Sequence, residues 1–484
     1  MAGLSGRARS DGRGPRITAF GGDLSFIVLV GGLMALLVAA ALMVSVQAAT
    51  AFTLVAMVIA LHQYNRQWGI IAVFAFWLVA PGLRRVLGLM TGYLESDPLS
   101  LAPFLATSAV AGLELLRFHV PTVIRRILLV AAGGFALGLP VGLVHGATSG
   151  MYAFVAYLAA VAAAVLGVGE RTSARDSTLR RVLLYGIPPV AAYAIYQHVA
   201  GLPQWDQAWL DATKFGSIGI SEGEPVRSFA SLNSPGTLAS LLGLSLLMFL
   251  TVHRVRWITV IGLVLICVAI SFTFVRSAWL AMIVAGIAHV IASRGESARV
   301  VFGAAALIVV AALALSPVSS TAHQVVERFK TVKNLGQDTS ANERQATFSE
   351  TLPVALRAPI GHGLGSAGEA TKLQGESLLR APDNGYLALM YQVGPVGFLL
   401  VVAALGYVLV AAWNGARSPA PGQDLRLVLF ALLIYLMVTL AAGDEFYGSH
   451  GVVLWFIVGQ VLAYDFRRRA QAARTAAPSE TAPA

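Results

Sequence analysis

Cysteine is almost absent. The 484 residues contain one, Cys267, inside an apolar run, so neither a disulfide framework nor a cysteine-based metal site can be assembled. The nine histidines show no i, i+4 pair and no His/Cys cluster, which leaves zinc or iron without a ligand set. No carboxylate cluster with the spacing of a magnesium or manganese site is evident, so the expected metal is none and the expected cofactor is none. Charge is scarce too: Asp, Glu, Lys and Arg make up 12% of the chain, where soluble domains carry roughly 25%. Basic faces interleaved with aromatics are missing, so the net charge of +10 does not describe a nucleic-acid surface. No repeat at a solenoid period is visible, and no inverted repeat joins the two halves.

What the chain has is apolar length, with 57% of its residues hydrophobic. Crossing the hydrocarbon core takes about twenty apolar residues, fewer inside a bundle. Runs of that kind fall at 24–42, 44–61, 68–82, 99–116, 126–145, 151–168, 181–200, 235–252, 257–275, 277–292, 299–316, 385–412, 425–442 and 449–465. The expected fold class is all-α integral membrane with about fourteen transmembrane helices, in a range of twelve to fourteen; the apolar stretch 24–61 suits a hairpin around Ser45–Gln47. The basic leader 1–23 precedes a run too long for a signal h-region and is read as an uncleaved anchor. Placing it in the cytoplasm puts 62–67, 117–125, 169–180, 253–256, 293–298, 413–424 and 466–484 on the same side, and most arginines fall there, as the positive-inside rule asks. Both termini are then cytoplasmic. The organisation that follows is an N-terminal bundle over 24–200, an extracytoplasmic loop 201–234, helices over 235–316, a large extracytoplasmic loop 317–384 forming a small helical cap, C-terminal helices over 385–465 and a disordered tail 466–484.

The exceptions carry information. Arg84, Arg85, Arg227 and Arg276 lie at extracytoplasmic helix ends, where topology does not want positive charge. An arginine near the apolar region costs several kcal/mol unless paired or hydrated and marks a functional site by default; snorkelling to headgroups is the plain alternative. Gly134, Gly138 and Gly142 recur on one face and predict close helix packing.

Three stretches combine on that side. The first is Arg227-Ser-Phe-Ala-Ser-Leu-Asn233-Ser-Pro235-Gly, where Pro235 behind a serine cap opens a helix and makes a ready anion site beside Arg227. The second is Phe274-Val-Arg276-Ser-Ala-Trp279. The third runs from Asn342-Glu-Arg344 through Arg357-Ala-Pro-Ile-Gly361-His362-Gly363-Leu-Gly365 to Asp383-Asn384-Gly-Tyr386-Leu387. Plain readings stand beside the functional ones. Asp383 and Asn384 suit the N-cap of the following span, His362 suits a turn, and no strand precedes the Gly361–Gly365 run as a phosphate loop requires. Asp444, Glu445 and His450 read as a solvated turn or as one wall of an acceptor cleft.

In order and topology these stretches resemble the O-antigen ligase and polymerase superfamily, which includes O-antigen ligases, exopolysaccharide polymerases and bacterial O-oligosaccharyltransferases. The resemblance spans roughly residues 180–465. It implies a GT-C-like membrane fold in the bacterial inner membrane, an extracytoplasmic active site and transfer of glycan from a polyprenyl-pyrophosphate carrier. The family's ligases carry a His where this chain has Asp383, and the Asp-Asn-x-Tyr-Leu form looks like the polymerase branch.

The residue types suit that reaction. Guanidinium groups bind phosphate oxygens bidentately and keep their charge, so Arg227 and Arg276 are expected to stabilise the leaving pyrophosphate. Asp383 is expected to take the proton of the acceptor hydroxyl. Arg344, Asn384, Asn233, Arg84, Arg85 and His362 are the expected substrate-binding residues. The expected partners are a polyprenyl-pyrophosphate-linked oligosaccharide donor, a glycan acceptor and the lipid bilayer, with a flippase and a chain-length regulator as further proteins. Polymerisation of exopolysaccharide or O-antigen ranks first, ligation to a lipid A core second and protein O-glycosylation third. A lipid-linked oligosaccharide flippase is the rival from another class; against it stand the missing repeat symmetry and charges that gather at helix ends.

Overall fold

The computed structural model describes residues 31, 45–93, 97–170, 177–213, 218, 226–252, 256–296, 339–373, 384–419, 422–443 and 446–476. Among them the chain is helical without strands. The helices are α1 (Val46–Tyr64), α2 (Arg66–Thr91), α3 (Ala102–Arg117), α4 (Thr122–Ala136), α5 (Leu139–Gly169), α6 (Ile187–Ala200), α7 (Gln204–Thr213), α8 (Pro235–Met248), α9 (Trp257–Phe272), α10 (Arg276–Ala292), α11 (Thr339–Arg357), α12 (Gly385–Ala416), α13 (Gln423–Thr439) and α14 (Gly448–Ala476). The turn Thr178–Arg181 and a π-helical stretch Val182–Gly186 lead into α6. Among the described residues six helices are long and apolar enough to cross a membrane: α1, α2, α5, α12, α13 with its 3₁₀ extension to Ala442, and α14. Shorter apolar helices occupy Pro235–Thr251, Trp257–Phe272 and Arg276–Ala292.

Most expected runs within the described residues coincide with helices. The run 126–145 is divided between α4 and α5 at Leu137-Gly138, and α5 kinks at Gly146 ahead of the run 151–168, while 299–316 and all of 24–42 but residue 31 lie outside the described residues. Ser45 starts α1 as its N-cap, accepting a hydrogen bond from the Ala48 amide. Asn65 closes α1 and caps α2, accepting from the amides of Gln67 and Trp68, so one residue makes the hairpin. Two further boundaries differ from expectation. Helix α2 continues past residue 82 to Thr91, because Arg84 and Arg85 find protein partners and no longer need to end the span. Helix α14 continues through 466–476, which the sequence reading took as disordered; Asp465 pairs with Arg468 and Arg469 at i+3 and i+4 and carries the helix onward.

The long apolar helices give the bundle two ends. Glu114 marks one: its buried carboxylate pairs with His62 at 3.1 Å and Arg66 at 2.5 Å, with Arg117 alongside. Asn384 marks the other.

Helix α14 runs along α5 at the core of the bundle, and glycine permits the approach. A Cβ on Gly167 would strike the Phe456 carbonyl, and one on Gly459 the Ala164 carbonyl. Gly134 packs on the Gly397 carbonyl, Gly138 on that of Gln392 and Gly142 on that of Leu364, so the close packing is present, but the chain turns at Leu137-Gly138 and the three glycines do not share one helix as their spacing suggests. At the Asn384 end the segment after α11 turns into the bundle. Leu364 is fully buried there and donates its amide to the Gly138 carbonyl at 2.9 Å. Opposite it α12 breaks at Gly394-Pro395, where φ is +72°. The exposed backbone of the break is satisfied locally: His362 and Gly363 donate to the carbonyls of Tyr391 and Gln392. Non-helical backbone at such depth is tolerated only where protein covers it, as here.

Candidate active site

The segment between α7 and α8 is fastened at several points. Ser228 donates its amide to the Phe272 carbonyl at 3.0 Å and its hydroxyl to the Ala194 carbonyl at 2.9 Å. The amides of Phe229 and Ala230 both donate to the Gln197 side-chain oxygen, at 3.2 and 2.7 Å. Ala230 takes φ +50°, a left-handed conformation that the surrounding bonds hold in place. The turn then reaches Ser234, whose side chain accepts from the Gly236 amide, with Pro235 at the first helical position as the sequence predicts.

Arg85 is part of this fastening. Its guanidinium donates to the carbonyls of Leu232 (2.7 Å) and Ala230 (2.5 Å), pairs with Asp206 at 3.0 Å and lies between the rings of Trp209 and Phe229. With its side chain 1% exposed, it is built into the frame of the turn and does not line the cavity that its neighbour faces.

Arg84, one residue earlier and about 100° around the helix, faces a cavity of about 680 Å³. Its Nε approaches Asp97 at 3.5 Å and its guanidinium lies over Tyr93. Asn233, Tyr152, Glu369, Lys372 and Tyr447 complete the polar end, where Tyr447 Oη accepts from the Glu369 amide at 3.3 Å. The remaining wall is apolar: Leu101, Phe104 and Leu105 from the start of α3 and its lead-in, Met151 and Val155 from α5. Leu105 is 45% and Met151 44% exposed, so this wall reaches the outside of the bundle between two of its helices. The volume lies within the range of small-molecule sites, and the combination of an open apolar side with a charged end suits an amphiphile.

Of the residues expected from sequence, the cavity brings together Arg84 and Asn233. Arg227 and Arg276 flank one turn outside the cavity lining: Arg227 donates through Nε to the Thr273 carbonyl at 3.0 Å, in the turn that leads through Phe274 (φ +52°) to Arg276 at the first position of α10. Asn384 caps α12 by accepting from the Leu387 amide at 3.1 Å. His362 stacks on Tyr391, ring centroids 4.3 Å apart, in the re-entrant turn and outside the cavity. His450 is buried against the Thr237 carbonyl at 3.1 Å, so it belongs to neither a solvated turn nor a cleft wall. Arg344 lies on α11; its side chain and Asp383 fall outside the described residues, as do Asp444 and Glu445. Asp97, Tyr152, Glu369, Lys372 and Tyr447 escaped the sequence reading. Lys372 alone had a signal, as one of only four lysines in the chain.

A family model described as O-antigen ligase matches residues 261–402, from α9 through the first half of α12. This match, over less than a third of the chain, supports the O-antigen ligase and polymerase superfamily, the one its motifs resemble. Arg276, Lys372 and Asn384 lie inside the matched stretch; Arg84, Asp97, Arg227 and Asn233 precede it. No curated protein matches the chain.

Proposed function

We propose that this membrane enzyme of the O-antigen ligase and polymerase superfamily joins carrier-linked oligosaccharide repeat units into a polysaccharide. The observation that carries the reading is the cavity beside Arg84, open through an apolar wall between α3 and α5 and lined at its other end by Arg84, Asn233 and Lys372. A polyprenyl chain would lie along Leu101, Phe104, Leu105 and Met151, and its pyrophosphate would meet the cations. Oxygen of the acceptor hydroxyl attacks the anomeric carbon, the bond from that carbon to the pyrophosphate oxygen breaks, and the pyrophosphate leaves on its carrier. Asp383, next to the Asn384 cap, takes the acceptor proton. Arg227 and Arg276, at one turn near Asn233, stabilise charge as it develops on the leaving group, with no metal required. In this reading the Asn384 end is extracytoplasmic, the fold is GT-C-like with about fourteen spans, and the membrane is the bacterial inner one.

The description of the matching family favours ligation as the second reading, in which the acceptor is a lipid A core or another finished glycan. Purified protein incubated with a synthetic polyprenyl-pyrophosphate repeat unit separates the two. A ladder of products one repeat apart supports polymerisation. Product only on addition of a separate acceptor, one transfer per acceptor, supports ligation. No product in either format, from protein shown to be folded, removes the transferase reading and returns the flippase to consideration.

A further inference from the structure

A second cavity, of about 360 Å³, lies at the Glu114 end between α12, α13 and α14. Its inner part is apolar, made by Ala411, Ala412, Leu429 and Val461. Its mouth carries Arg426, Arg467 and Arg468 against a single carboxylate, Asp465.

The arginines are held in place. Arg426 donates to the carbonyls of Gly415 and Ser418, both at 2.9 Å, and so closes the end of α12. Arg468 pairs with Asp465 at 2.9 Å, and Arg467 donates through Nε to the Ala463 carbonyl with its guanidinium over Tyr464. Arg426 and Arg468 line the same cavity, so an anion there has two guanidinium groups to meet. Depth points the same way. Arg467 lies nineteen residues beyond Gly448, the first residue of α14, or about 29 Å at 1.5 Å per residue, close to the hydrocarbon thickness of roughly 30 Å. A cationic mouth at headgroup level over an apolar floor fits a phosphate that arrives with acyl chains.

We propose that this cavity binds the headgroup of an anionic phospholipid from the leaflet at the Glu114 end. The bound lipid bridges α12, α13 and α14, where Arg426, Arg467, Arg468 and Arg469 outnumber the carboxylates Asp424 and Asp465. Basic pockets between transmembrane helices are suited to such headgroups.

The test uses the full chain, purified in a neutral detergent and exposed to phosphatidylglycerol and phosphatidylcholine in equal amounts, with retained lipid read by native mass spectrometry. Phosphatidylglycerol is expected to be retained preferentially. That preference should fall about thirtyfold in R467Q/R468Q, two surface arginines' worth of attraction. Because the double variant removes an ion pair with Asp465, a second variant, Q471E, places a negative charge at the exposed rim of the mouth and breaks no pair; it should weaken retention several-fold. Three results overturn the proposal: equal retention of phosphatidylcholine; a preference unchanged in Q471E and R467Q/R468Q but lost in K372Q, which would put the lipid in the first cavity; or displacement of the lipid by millimolar inorganic phosphate, which would make a free anion the ligand.

Discussion

Arg85 and Asp206 form an ion pair 3.0 Å long with both side chains sealed from solvent, and this pair ties α2 to α7 beneath the turn that presents Asn233. Arg84 beside it points into the cavity. Consecutive arginines thus divide two tasks, one holding the frame and one facing the ligand space.

Breaking the pair from one side strands a buried charge. D206N is expected to destabilise the protein by about 3–5 kcal/mol, whereas replacing both partners by apolar residues should cost less. Thermal unfolding in detergent of D206N and of the double variant R85M/D206L checks this; equal stability of D206N and wild type would remove the pair from the frame.

The re-entrant turn depends on glycines at positive φ. G363A should prevent accumulation of folded protein, because Gly363 has φ +100° and its Cβ would meet the backbone of Gly142. G112A is the control: Gly112 is in α3 with open space around its Cβ position, so alanine there should be neutral or stabilising by up to about 1 kcal/mol. Yields of monodisperse protein after extraction distinguish the two.

If the carrier lipid enters along the apolar wall, L105W should raise KM for a donor with a long polyprenyl chain and leave a short-chain analogue nearly unaffected. Leu105 is half exposed on the outside of α3, so the fold should tolerate the larger ring. An equal effect on both donors would argue that the tail lies elsewhere.

The cations are expected to separate by role. R84K keeps the charge and loses the planar fork, and a fall in kcat/KM of about tenfold, near 1.4 kcal/mol, would mark bidentate phosphate contact. K372Q should act mainly on KM, since Lys372 is exposed at the cavity rim. R227K and R276K should lower kcat, the signature of stabilisation realised in the transition state. Unchanged kinetics in all four variants would leave these arginines with topology alone.

D383N should abolish turnover while the thermal unfolding curve stays that of wild type, and added chelator should leave the wild-type rate unaltered. Full activity in D383N would remove Asp383 as base; inhibition by chelator, reversed by a divalent cation, would sink the metal-free mechanism.

Much of the architecture was legible along the chain, because in a membrane each helix must satisfy its own backbone and so announces itself as an apolar run. The cap at Ser234-Pro235 and the packing glycines at 134, 138 and 142 were readable for the same local reason. Arginines 84, 85, 227 and 276, singled out in the sequence because they break the expected charge pattern, gather at one end of the bundle. Only the tertiary structure decided what each of them does. Arg84 and Arg85 are indistinguishable in sequence, and a rotation of about 100° about α2 sends one to Asp206 and the other to the cavity. The cavity itself draws Asp97, Tyr152, Lys372 and Tyr447 from four separate segments. No spacing rule connects them; helix packing, set by glycines that let backbones touch, brings them to one place.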